Sequence, residues 1–146
     1  MKANESRYFD FADLYLGQTA THSVTIDEAL IQTFANLTGD HHPLHLDRDY
    51  ALAHGFQDIL AHGVLLTSLS SKLIGMDLPG VRTILLSQTS EYIKPAFPGD
   101  ELSFRAKVSH LKRSLRLVTI EIEVANQRNE IVSCQEFRIK LREDGK

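Results

Sequence analysis

The chain has 146 residues, 42% hydrophobic and 24% charged, with a formal net charge of −3; that is length for one domain, residues 1–146, with a real core. The slight acid excess and the lack of any basic run speak against a nucleic-acid partner. A lone cysteine, Cys134, excludes an internal disulfide; no apolar window approaches a membrane span, so a soluble, cytoplasmic protein without membrane contact is expected.

Residues 1–17, MKANESRYFDFADLYLG, read as an irregular lead-in with acids throughout and no apolar signal core. TATHSVTI, 19–26, is β-branched and alternating, as a first strand should be. Asp27 is placed to cap a helix over 28–38 with Ala29, Leu30, Phe34 and Leu37 at helical spacing. Gly39 can end that helix, and Pro43, lacking an N–H and disfavouring α conformation at His42, predicts an exposed irregular turn over 39–45. Asp47 starts a short helix through Ala53, followed by the polar loop HGFQDILAHG with its two His-Gly pairs.

The run HGVLLTSLSSKLIGM, 62–76, predicts the one long helix, about 22 Å in length. Val64, Leu65, Leu66, Leu69, Leu73 and Ile74 lie on most of its faces, which implies protein packed on several sides. Thr67, Ser68, Ser70 and Ser71 are small enough for close approach of a sheet or partner helix. Four strands follow: VRTILLSQTSEYI, ELSFRAKVSHLKR, LRLVTIEIEVANQ and EIVSCQEFRIKLR, separated by KPAFPGD and by turns at Arg113-Ser114 and Arg128-Asn129. Cys134 reads as a packed residue of the last strand. Long antiparallel strands curled around a buried helix make an α+β arrangement. Lys112, Arg113 and Arg116 could meet a phosphorylated small molecule, although such clusters are commonly solvated strand ends.

Asp40 and His45 stand five residues apart in the Pro43 turn. A carboxylate and an imidazole held together can share proton transfers near neutral pH; the plainer alternative is that Asp40 caps the turn and His45 packs. Gly63 opens the central helix, where backbone N–H groups lack partners and the dipole favours negative charge; a simple turn glycine would look the same. His41, His42 and His45 with Asp40 and Asp47 have the chemistry of zinc or iron ligands. Pro43 breaks the helical register that would align them, so no metal is expected. There is no GxGxxG, P-loop or Gly-x-Ser-x-Gly, and no cofactor is expected.

FANLTGDHHPLHLDRDYA, 34–51, resembles the signature of the MaoC-like dehydratases, the (R)-specific enoyl-CoA hydratases. Phe34, Gly39, Asp40, Pro43, Leu44, His45 and Ala51 match it in order, and ILAHGVLLTSLSS and SQTSEYIKPAFPGDEL follow at family-like distances, from about Leu16 to the C-terminus. The resemblance implies a hot-dog fold, usually dimeric, an antiparallel sheet wrapped around a long helix. It implies Asp40 and His45 as acid/base pair, Gly63 as oxyanion-hole glycine and Ser71 as a pocket serine. The family's Asn, two residues after the Asp, is His42 here; a neutral imidazole retains one donor and one acceptor and can fill part of the amide's role. His62 is expected to shape the loop. The implied activity is hydration of a trans-2-enoyl thioester of CoA or acyl carrier protein to the (R)-3-hydroxyacyl product, by a homodimer or a multiple of dimers. A hot-dog thioesterase and a non-catalytic acyl-thioester-binding subunit are the alternatives, and the Asp-x-x-Pro-x-His arrangement favours hydration over thioester cleavage.

Overall fold

The computed structural model describes residues 7–143. Its sheet comprises β1 (Thr19–Thr25), β2 (Thr83–Tyr92), β3 (Glu101–Lys112), β4 (Leu117–Ala125) and β5 (Ile131–Leu141), in the order β1-β3-β4-β5-β2. Every pairing is antiparallel. The period-two alternation decides its faces. Leu102, Phe104, Ala106 and Val108 of β3, Val118, Ile120, Ile122 and Val124 of β4, and Phe137, Ile139 and Leu141 of β5 are buried. The intervening Arg105, Lys107, Glu121, Glu123 and Glu136 are exposed on the opposite face.

Four helices complete the fold: α1 (Glu28–Thr38), α2 (Pro43–Leu46), α3 (Arg48–Ala53) and α4 (Gly63–Lys72), the last continued by a π-helical turn over Leu73–Asp77. Leu65, Leu66, Leu73 and Ile74 enter the same core as the sheet residues. Ser70, fully buried, gives its hydroxyl to the Gln135 side-chain oxygen of β5 at 2.7 Å. Sheet and helix form the hot-dog arrangement that the resemblance implies.

Several local expectations change. Of the lead-in, residues 1–6 lie outside the described residues, and residues 7–17 are largely irregular and mostly exposed, with two side chains anchored in the core. Phe11–Asp13 form a 3₁₀ turn, and Phe11 and Leu14 are buried in the core. The guanidiniums of Arg113 and Arg116 lie over the Phe11 ring at 5.8 and 5.9 Å, so these cations cover an aromatic ring. In α1 the buried residues are Ile31 and Ala35, while Leu37 is 81% exposed. Pro43 does not hold the chain out of helix: it occupies the first position of α2, where its missing N–H costs nothing. Cys134 is exposed on the outer sheet face, because its parity in β5 is that of Glu136. The central helix is open on one side, with Val64 60% exposed and Ser68 and Ser71 also exposed.

Removing the Ser70 hydroxyl would leave the buried Gln135 oxygen without this donor. Ser70→Ala is therefore expected to lower unfolding free energy by about 1–3 kcal/mol, whereas Ser71→Ala, at an exposed site, should change it by less than about 0.5 kcal/mol. Urea unfolding of both checks this; equal small losses would contradict it.

Candidate active site

Three segments meet at the start of α4. The first is the turn after α1. Gly39 adopts a left-handed backbone at φ 78° and returns its N–H to Ala35 O at 2.8 Å, closing the helix. Asp40 follows; its carboxylate accepts the His42 N–H at 3.3 Å, and its own N–H reaches Thr38 Oγ1 at 3.3 Å. The second is α2, which carries His45 in its single turn. His42 is its N-cap: Nδ1 accepts the Leu44 N–H at 3.2 Å, the service an Asn side chain performs at such positions.

The third is the loop of residues 54–62. Leu60 N–H bonds Leu44 O at 2.9 Å and Ala61 N–H bonds Ala96 O at 2.8 Å, joining the loop to α2 and to the β2–β3 connection. Arg48 adds a clip, reaching Asp58 at 2.7 Å and Glu28 at 2.6 Å. Its guanidinium holds the Asp58 carboxyl below the usual carboxylate range.

Two imidazoles cross between these segments. His45 Nδ1–H donates to Leu60 O at 2.8 Å, and His62 Nε2–H donates to Asp40 O at 3.0 Å. Their rings stack, with centroids 3.7 Å apart and planes 25° from parallel. The bond to Leu60 fixes the His45 tautomer and leaves Nε2 as a lone-pair acceptor. Burial, opposed by the Leu60 carbonyl and reinforced by neighbouring His62, lowers the His45 pKa from its ordinary 6.5; Asp40 raises it and His42 lowers it by smaller amounts. His45 is thus kept neutral.

Asp40, His45 and His62 each offer an atom within 4.8 Å of those of the other two. One water making hydrogen bonds of about 2.8 Å can bridge groups up to about 4.8 Å apart, so the cluster has the span to grip a single water. The same donor set suits a divalent transition metal. To ligate through Nε2, however, His62 must give up its bond to Asp40 O and carry its proton on Nδ1, which is buried without a partner. That exchange opposes metal binding by about 1–3 kcal/mol, and the same bond leaves Asp40 and His45, rather than all three residues, to hold a water.

Gly63 immediately follows His62 as the first residue of α4, so its N–H has no acceptor within the helix. A side chain there would be tight: a Cβ would lie 3.2 Å from three atoms of the Tyr92 ring, which would have to give by a few tenths of an ångström. Thr67, four residues on, holds Tyr92 Oη at 2.7 Å and Ser90 Oγ at 2.9 Å. Ser71 is exposed about 12 Å further along α4, so a single chain does not bring it to the Asp40–His45 pair. Sequence reading gathered Asp40, His45 and Gly63 but missed Thr67 and Tyr92. Thr67 shares the Gly63 helix face by its i+4 spacing; nothing local ties Tyr92 to either.

Comparison with known proteins identifies the family. The model of the MaoC like domain matches residues 15–131. The (R)-specific enoyl-CoA hydratase of Aeromonas caviae is 34% identical over 128 residues, 88% of this chain and 96% of that protein. That of Rhodospirillum rubrum is 33% identical over 119 residues, covering 82% and 83%. Among solved structures, the A. caviae (R)-hydratase involved in PHA biosynthesis superposes with a TM-score of 0.85 at 34% identity, covering 88% of this chain and 98% of that one. Unliganded R-hydratase PhaJ1 from Pseudomonas aeruginosa gives 0.86 at 34% identity, covering 97% and 88%.

The Gly63–Tyr92 contact yields a direct test. Gly63→Ala should cost about 1–3 kcal/mol of stability through overpacking, because Thr67 pins the ring that would have to yield. In a Tyr92→Ala background the same change should be neutral or stabilising. Thermal unfolding of the four proteins measures the coupling; equal costs in both backgrounds would show that the ring is free to move.

Proposed function

We infer from the MaoC-like dehydratase family, to which this chain belongs, that it is a hydro-lyase: it reversibly adds water to trans-2-enoyl-CoA, giving (R)-3-hydroxyacyl-CoA. The observation that carries the reading onto particular residues is that Asp40 and His45 each offer an atom within 4.8 Å of the other, while His45 Nδ1–H is spent on Leu60 O and leaves Nε2 as the ring's acceptor.

The chemistry runs as follows. A water gripped by Asp40 and His45 attacks Cβ of the enoyl thioester, and its oxygen forms the new C–O bond. The Cα=Cβ electron pair moves toward the thioester carbonyl, whose oxygen becomes enolate. The proton released by the water passes to the acid/base pair and then to Cα, so that one water supplies both hydroxyl and hydrogen. The enolate oxygen is received by the Gly63 N–H, reinforced by the helix dipole. Neutral His45 is suited to take the proton, and the Asp40 carboxylate orients the water and favours the imidazolium that forms. The chemistry exchanges no electrons, and these residues account for each proton without a cofactor. The exposed Ser71 and the capping His42 belong to the wall of the substrate pocket rather than to the proton path.

We further propose that the working unit is a homodimer. β2 is an edge strand whose side chains are exposed on both faces, with Ile84, Leu85, Leu86 and Tyr92 each 45–53% exposed and neighbouring Ile93 54% exposed. An edge of this length and apolarity is normally covered, and a second copy offers the same edge for isologous pairing. Sedimentation should therefore give a dimer or a multiple of one. Lys or Glu at Leu85 should weaken the assembly, and a strictly monomeric, fully active species would refute it.

The acid/base assignment is tested by loss of the enoyl-thioester absorbance with crotonyl-CoA and longer enoyl-CoAs, with chiral analysis of the products. Asp40→Asn and His45→Ala should each reduce kcat by about two to four orders of magnitude with the fold intact, and the double variant should fall far short of their product. Protonation of His45 removes its acceptor, and its lowered pKa extends the active neutral form to more acid conditions. The acid limb of kcat/KM that it causes should thus lie below pH 6.5. Near-wild-type hydration by Asp40→Asn would overturn the assignment.

A further inference from the structure

We propose that His62 is a positioning residue of the hydration reaction, holding the Asp40 backbone with its N–H and the His45 ring with its face. This rests on the Asp40–His45 reading above and adds a third residue to it.

His62 is 2% exposed and touches both members of the pair. Its Nε2–H reaches the Asp40 carbonyl at 3.0 Å across 22 residues of sequence. The turn that carries Asp40 is exposed, and its side-chain-to-backbone bonds, to Thr38 Oγ1 and from His42 N, are 3.3 Å long and lie within the turn itself. The His62 bond therefore ties Asp40 to the core. The other contact is the 3.7 Å stack on His45, whose ring is held along its edge by Leu60 O and across its face by His62. Phe34 of α1 lies 5.1 Å from the His62 ring and fixes His62 in turn.

A buried imidazole is a costly way to fill space. His62 Nδ1 has no hydrogen-bond partner among the described residues, and an orphaned buried acceptor is destabilising. A phenyl ring would fill the same volume without that penalty, stack on His45 equally well, and lose only the N–H to Asp40 O. The imidazole is explained by what that N–H positions.

The two contacts can be separated. His62→Phe keeps the ring face and removes the donor; His62→Gln places an amide N–H near the position of Nε2 and removes the stack; His62→Leu removes both. With crotonyl-CoA, Phe and Gln are each expected to lower kcat about tenfold, and Leu about a hundredfold, with KM within about threefold of the parent, as for displaced reacting groups. His62→Phe should melt at or above the parent temperature while losing rate, a combination that a purely structural histidine does not give. Should His62→Leu fail to fold, Phe and Gln decide alone. A His62→Phe enzyme within twofold of the parent kcat, losses confined to KM, or losses that simply follow the melting temperatures would overturn the proposal. Asp40→Asn and His45→Ala in the same assay separate the two levels. If they keep their rate, the acid/base reading fails and this one with it; if they lose it while His62→Phe does not, only the positioning role fails.

Discussion

The site depends on a reciprocal exchange of imidazole N–H groups between two segments that the sequence keeps apart. His45, on α2, donates to Leu60 in the following loop; His62, at the end of that loop, donates back to Asp40 in the turn before α2. The backbone bond from Leu60 N–H to Leu44 O lies between them. Three hydrogen bonds thus zip together two stretches with little regular structure. Each imidazole spends its one N–H on a carbonyl, so the tautomers are fixed in opposite senses. His45 is left with an accepting Nε2 toward the substrate side, while the bare nitrogen of His62 is buried. Precision at the site comes from this cross-bracing, because α2 is a single turn and could not hold a catalytic side chain alone.

The brace also explains why the glycine follows His62 directly. α4 starts where the His62 side chain turns inward, and the next backbone N–H is the first that no helical carbonyl can accept. Tyr92, anchored through Thr67, packs over that residue so closely that a Cβ would need the ring to shift by a few tenths of an ångström. One strand, β2, therefore supplies a wall to the site and at the same time forms the open edge of the sheet. The residues proposed for the reaction and the edge proposed for assembly are thus linked through Tyr92.

The large-scale fold was legible because its signals are periodic. The four long strands alternate, and the run from Val64 to Ile74 is apolar at too many positions for a surface helix. Finer readings failed where one residue had two possible roles. Pro43 was taken as a helix breaker, but a proline is compatible with the first helical position, and the difference is one of register. Leu37 satisfies helical spacing yet is exposed, because the inward stripe of α1 runs through Ile31 and Ala35. Cys134 looked buried from its apolar neighbours, whereas strand parity places it outside with Glu136. At the site, Asp40, His45 and Gly63 could be gathered from local pattern and resemblance. The Tyr92 contact and the two imidazole-to-carbonyl bonds span 15 to 29 residues and have no local signature.

His42 illustrates how a departure from a family pattern can be absorbed. The cap of α2 requires an acceptor aimed at the Leu44 N–H, and imidazole Nδ1 meets that need at 3.2 Å as an amide oxygen would. The substitution is thus conservative in geometry and not in electrostatics. His42 and His45 rings lie edge to face at 6.0 Å, and Tyr50 meets His42 on another side at 6.2 Å. An amide oxygen at this position would accept the same bond from Leu44 N–H, so either side chain can close the first turn of α2, the turn that carries His45. What the imidazole adds is packing, since its ring meets both His45 and Tyr50 where an amide would present a smaller surface.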